Sequence, residues 1–159
     1  MVFGLAGSAF AQESDVATAS ATIVTPISIL KTTDMNFGNV AVQSSAPGTV
    51  VLSTEGSRTP TGGVTLPTTA TGTVAAASFT VNGQANYTYS VTLPNSVTLT
   101  RATGTETMTV DTFTSNPSST GTLSVDGTQT LNVGATLNVA AAQVAGSYVS
   151  DDFTVTVNY

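Results

Sequence analysis

An all-β sandwich is the fold this sequence predicts, on three observations. Apolar and polar residues alternate in short runs, as half-buried strands require. Turn residues separate those runs at the spacing of a sandwich. Thr, Ser, Val, Ala and Gly dominate while Glu, Lys, Arg and Leu are scarce and charged residues make up only 8% of the chain, a composition that favours strands over helices. With 40% hydrophobic residues the chain can bury a core and is not a disordered Ser/Thr stalk.

Taken in order, residues 1–11 are apolar and close on the small-x-small pattern Ala9-Phe10-Ala11 before the polar Gln12-Glu13-Ser14-Asp15. This is the second half of a secretory signal peptide. Its basic n-region is missing, which points to a start placed too late or a trimmed leader, with the mature chain beginning at Gln12. A spanning helix would need roughly 20 apolar residues, more than this run supplies.

Strands are then expected at 17–24, 27–32, 35–37, 48–53, 76–82, 87–93, 97–101, 107–114, 121–125, 128–139 and 147–159. Between them lie Pro47-Gly48, Glu55-Gly56, Gly62-Gly63, Asn82-Gly83, Pro94-Asn95, Asn116-Pro117 and Asp126-Gly127. The last, flanked by Leu123 and Val125 on one side and Leu131 and Val133 on the other, is the strongest hairpin signal. Period-two alternation assigns inward faces to Phe79 and Val81; to Tyr87, Tyr89, Val91 and Leu93; to Met108 and Val110; and to Leu131, Val133, Leu137 and Val139. The final run places Phe153, Val155, Val157 and Tyr159 on one face, with Thr154, Thr156 and Asn158 opposite. A strand of core quality at a terminus, where most domains leave loose residues, points to a partner that completes it. No stretch has convincing helical periodicity.

The inventory of reactive residues excludes several function classes. The chain contains no Cys and no His, which removes thiolate and imidazole chemistry and most acid–base sites. A core of this size is stable without disulfides. A net charge of −6 with three cations, Lys31, Arg58 and Arg101, provides no footprint for nucleic acid or anionic membrane. Asp126, Asp151 and Asp152 match no calcium-loop spacing. The many Ser and Thr residues lack an activating base, Gly62-Gly63 reads as a turn rather than a phosphate loop, and Asn86-Tyr87-Thr88 fits the glycosylation pattern by chance. An enzyme is therefore not expected, nor a cofactor or metal.

Two segments carry a resemblance. Ser20-Ala21-Thr22-Ile23-Val24 followed by Asp34-Met35-Asn36-Phe37-Gly38-Asn39 resembles the opening of the spore-coat-U-like pilins of archaic chaperone–usher systems. The closing Gly146-Ser147-Tyr148, with the threonine/valine strand that runs from it to Tyr159, is similar to that family's end. Gly146, fourteenth from the end, is similar to a glycine placed near that position in many such subunits. Phe37-Gly38, the run Arg58 to Val64, and Thr107-Met108-Thr109-Val110 resemble a related, largely uncharacterised group of Gram-negative secreted domains. The resemblance covers the mature chain in outline, with only the ends specific, and the family's disulfide cannot form here.

The resemblance implies an immunoglobulin-like β-sandwich that is incomplete and is completed by a donor strand. A periplasmic chaperone lends that strand first, and after passage through an outer-membrane usher the N-terminal extension of a neighbouring copy replaces it. It implies residues 12–25 as the extension and 26–159 as the pilin-like domain. Ala17, Ala19, Ala21 and Ile23 become the donor face, and Phe153, Val155, Val157, Tyr159 and Gly146 become the groove wall and chaperone contact. The donor face departs from the expected pattern, because at about 25 cal/mol per Å² a row of alanines buries little. Either the backbone ladder supplies most of the affinity, or 17–24 is the domain's own first strand.

Two functions remain as expectations. One is a surface pilus subunit, extracellular after transit through the periplasm, serving adhesion or biofilm formation, with its receptor unassigned. The other is a self-complete β-sandwich binding module of the cell envelope that recognises glycan or protein through its loops. They differ at residues 12–24, which are free or wrapped on another molecule in the first and paired within their own sheet in the second.

Overall fold

The computed structural model describes Phe3 and residues 11–159. The signal-peptide reading of residues 1–11 falls, apart from Phe3 and Ala11, outside the described residues. Among the described residues the chain forms strands and no helix, and every strand ladder is antiparallel.

The strands in chain order are β1 (Ser28–Thr33), β2 (Asn36–Phe37), β3 (Ala41–Val42), β4 (Gly48–Leu52), β5 (Arg58–Gly62), β6 (Val64–Thr65), β7 (Val74–Ala75), β8 (Ala77–Asn82), β9 (Thr88–Thr92), β10 (Ser96–Arg101), β11 (Thr107–Asn116), β12 (Thr120–Thr122), β13 (Thr128–Val139), β14 (Tyr148–Ser150) and β15 (Thr156–Asn158). One layer is a large sheet in the order β1-β8-β13-β11-β10-β14, with β4 and β5 added beside the far half of β13. The facing layer is discontinuous. It consists of the sheet β12-β9-β15 and two small pairs, β2-β7 and β3-β6.

Strand β13 is the spine because its alternation is the longest: Leu131, Val133, Ala135, Leu137 and Val139 are all buried, and Thr130, Asn132, Thr136 and Asn138 point the other way. Along one edge it pairs first with β8 and then, past Gly134, with β4. Two lobes of core result. The lower packs Phe79, Val81, Tyr89, Leu123, Leu131 and Val155 under the β12-β9-β15 sheet. The upper packs Phe37, Val50, Leu52, Val64, Val110 and Leu137 beneath the two small pairs. Met35 and Phe113 touch both lobes.

Most expected strands form, with four differences. Residues 17–24 belong to no strand, and the first begins at Ser28. Asp126-Gly127 makes a tight turn, with Ser124 N–H donating to Thr128 at 3.0 Å, but not a hairpin of paired strands. There β12 joins β9 and β13 joins the large sheet, so the turn carries the chain across the sandwich and leaves Val125 77% exposed. Tyr87, expected in the core, precedes its strand and is exposed, its ring edge-on to Tyr159 at 5.7 Å. The run 147–159 is two strands in different sheets, β14 on β10 and β15 on β9, with 151–155 unpaired between them. Short strands β3, β5, β6 and β7 had no sequence signal, because two-residue bridges and a Thr-Pro-Thr run have no alternation to read.

Candidate functional site

Where the facing layer is interrupted, a groove of about 1120 Å³ with an apolar floor opens over the large sheet. Its floor comes from inward positions of β8, β11 and β13, with Ala77, Phe79, Val110, Phe113, Leu137 and Val139 among its lining residues. One wall is the stretch from Asn36 to Val42; the other runs from Gly146 to Phe153. Strand β14 ends the large sheet and has only β10 as a ladder partner, while β2 and β3 have one partner each. The groove is therefore bounded by singly paired strands, whose free edges are templates for a further strand.

The first wall is held by a bonded turn. Asn36 Oδ1 accepts the Gly38 N–H at 2.8 Å, and the Asn39 N–H donates to Thr71 at 2.7 Å. Between them Gly38 sits at φ +66°, and a Cβ there would lie 2.5 Å from the Thr71 carbonyl oxygen, so the turn requires glycine. Half-buried Arg58, at the start of β5, donates from one terminal nitrogen to the Phe37 carbonyl at 2.6 Å and the Asn39 carbonyl at 3.0 Å. The motifs Asn36-Phe37-Gly38-Asn39 and Arg58 to Val64 thus meet in space. The run Arg58 to Val64 was read from sequence only as part of a resemblance, with no role given to Arg58; the available signal was a lone cation opening a Thr-Pro-Thr-Gly-Gly run.

The second wall is set by Arg101, whose Nε donates to the Ala145 carbonyl at 3.0 Å. Gly146 lies against that guanidinium, and a Cβ there would come 2.6 Å from Nε. Arg101 also pairs with Glu106 at 3.3 Å. Backbone N–H donation, Glu106's own first, together with Arg101 holds the Glu106 carboxyl below the usual carboxylate value. At the rim, Lys31 bonds Asp34 at 2.6 Å; that carboxylate raises Lys31 above the ordinary lysine value, and Asp152 adds to the effect.

The residues expected at the wall divide. Gly146 and Phe153 line the groove, and the Phe153 ring lies 5.4 Å from that of Phe113 on the floor. Val155 and Val157 do not line it; they pack in the lower lobe, Val157 on β15 opposite Val91 of β9. Tyr159 lies outside the groove as well and is 43% exposed. The physical reason is the change of sheet at 151–155, since the chain leaves the gap after Phe153. Phe113 and Met35, which join the lobes at the groove, were not picked out as site residues.

The donor residues Ala17, Ala19 and Ala21 are exposed and unpaired, as is Ile23, at 96% exposure. Asp126 sits in its turn away from Asp151 and Asp152, which line the groove, and no group of three or more carboxylates among the described residues is placed to hold a metal ion. No helix among them is long and apolar enough to cross a membrane.

The fold and groove define a class: an all-β sandwich domain whose second layer is open over an apolar floor. The chain belongs to the family described as a domain of unknown function (DUF4402), which matches residues 27–159. Comparisons with curated proteins and with solved structures found no match.

Proposed function

We propose that this protein is a structural subunit of a secreted surface fibre, assembled with a periplasmic chaperone and an outer-membrane usher and polymerised by donor-strand exchange. Adhesion or biofilm cohesion is then a property of the fibre. The observation that carries the reading is the pairing of an open groove over an apolar floor with an N-terminal segment, 11–27, that joins no strand of its own domain. The family match begins at Ile27, so the extension lies outside it.

Energetics favour a strand over a small ligand as occupant. The groove volume is slightly above the roughly 300–1,000 Å³ of small-molecule pockets, and singly paired strands border it. Alanines at 17, 19 and 21 bury little area, so the backbone ladder, at about 1 kcal/mol net per hydrogen bond, supplies most of the affinity. Ile23 is the one large side chain on that face, able to seat among the floor residues. No catalytic role is assigned.

The test is electron microscopy of surface-sheared material together with gels run with and without boiling. Thin fibres, and detergent-resistant ladders that collapse to monomer on heating, are the expected result. A single heat-insensitive monomer band without fibres would refute the reading in favour of the self-complete binding module. That alternative requires 12–24 to be paired within its own sheets, and the segment joins none of them.

A further inference from the structure

At the lower end of the sandwich, Thr25 bonds remote residues through both of its backbone groups. Its N–H donates to Gln84 Oε1 at 3.1 Å, and its carbonyl accepts the Tyr159 hydroxyl at 3.0 Å. The same hydroxyl accepts the Gln84 N–H at 2.5 Å. Tyr87 holds the Tyr159 ring edge-on at 5.7 Å and 69°, and its own N–H donates to the Gln84 carbonyl at 3.1 Å. Gly83 has no side chain where one would collide with the Tyr159 hydroxyl. Two segments far apart in sequence, at Gln84 and at Tyr159, thus converge on Thr25, which stands where the unpaired extension meets the domain.

This point lies below the groove. Ser28 stands opposite Asn82, and Asn82 opposite Thr128, so the root of the extension lies at the level where β13 begins. The groove begins at the level of Lys31 and Phe79, three positions up the strands and about 10 Å away, and extends to Leu137 and Val139 toward the other end of β13, about 30 Å away at ~3.3 Å per residue. Tyr159 and Val125, exposed and unexplained by the core, are both found at this lower end.

We propose that Gln84 and Tyr159 are positioning residues that staple the root of the extension at Thr25, so that it leaves the sandwich at the end below its own groove and is presented to the groove of a second copy. This rests on the fibre reading above. A contact of groove on one copy with root on the next is heterologous and does not close, which produces an open filament. Tyr159 thereby has a role other than groove wall.

The test is amide hydrogen exchange in the full chain, with fibre imaging alongside. The Thr25 amide is expected to exchange more slowly than that of Ala21. Gln84→Ala should speed it about fivefold to tenfold, the effect of one net hydrogen bond, while Gln84→Glu, which keeps an acceptor, should restore protection. Tyr159→Phe keeps the ring and removes the hydroxyl; it should leave melting nearly unchanged while fibres bend over shorter lengths. Thr25 exchanging as fast as Ala21 in the wild type, or indifferent to Gln84→Ala, would overturn the staple. A protected Thr25 in a wild-type chain that forms no fibres would overturn the presentation role by removing the fibre reading itself, and leave the bonds at Thr25 standing.

Discussion

Arg58 is the residue whose loss should damage the groove most. It bonds two wall carbonyls at once, and hydrogen bonds to a charged donor are worth roughly 1.5–3 kcal/mol each. Arg58→Met is expected to destabilise the domain by about 2–4 kcal/mol, read from a denaturant melt, with Arg58→Lys losing less because the charge remains. Gly38→Ala should cost about 1–3 kcal/mol through its positive φ, and more once the Thr71 carbonyl has to move. Glu106 predicts a pH dependence. Its folded value lies below the ordinary one, so its contribution is present above the ordinary carboxylate range and is lost as pH falls through the lower folded value. The melting difference between wild type and Glu106→Gln should therefore shrink as pH falls below the ordinary carboxylate range and be gone once it passes beneath the lower folded value. None of these roles was legible in the sequence, since a cation beside a glycine turn 20 residues away leaves no local pattern.

At the scale of elements, alternation was a good guide wherever a strand stays in one sheet. Strand β13 forms over the expected residues, and β4, β8 and β10 come within a residue or so. Alternation failed where a strand changes sheet. Phe153, Val155, Val157 and Tyr159 keep period two, yet the chain crosses between layers at 151–155, and periodicity reports which face is apolar without saying which sheet supplies the partner. The consequence for substitutions is specific. Val155→Asp places an unpaired charge in the lower lobe and should cost more than about 3 kcal/mol, with loss of steady-state protein. Tyr159→Asp, at a half-exposed site, should be milder and should act on Thr25. Equal loss of both proteins on a blot would show that Tyr159 belongs to the core.

For the whole molecule, the large sheet folds around one spine while its cover is built from pieces, and the gap between those pieces is the groove. Removal of residues 12–24 should leave a domain that folds with a chaperone yet forms no fibres, because the floor and both walls lie within 31–153. Sheared material from such cells should show monomer only, boiled or unboiled. Phe113→Ser, at the junction of the two lobes, should lower both the melting temperature and the yield of heat-sensitive ladders, since the same ring supports the core and floors the groove.

The sequence by itself determined the β class, the turns, most of the strands and the face each presents, because these depend on local alternation and turn chemistry. It left open whether 17–24 is a donor segment or the domain's own first strand, and the structure leaves that run in no strand. Only the tertiary structure decided that the last run is shared between two sheets, that the second layer is open between Asn36–Val42 and Gly146–Phe153, and that Arg58 and Tyr159 hold distant backbone. Those features depend on which edges meet across the sandwich, a contest among long-range pairings that no window of sequence contains.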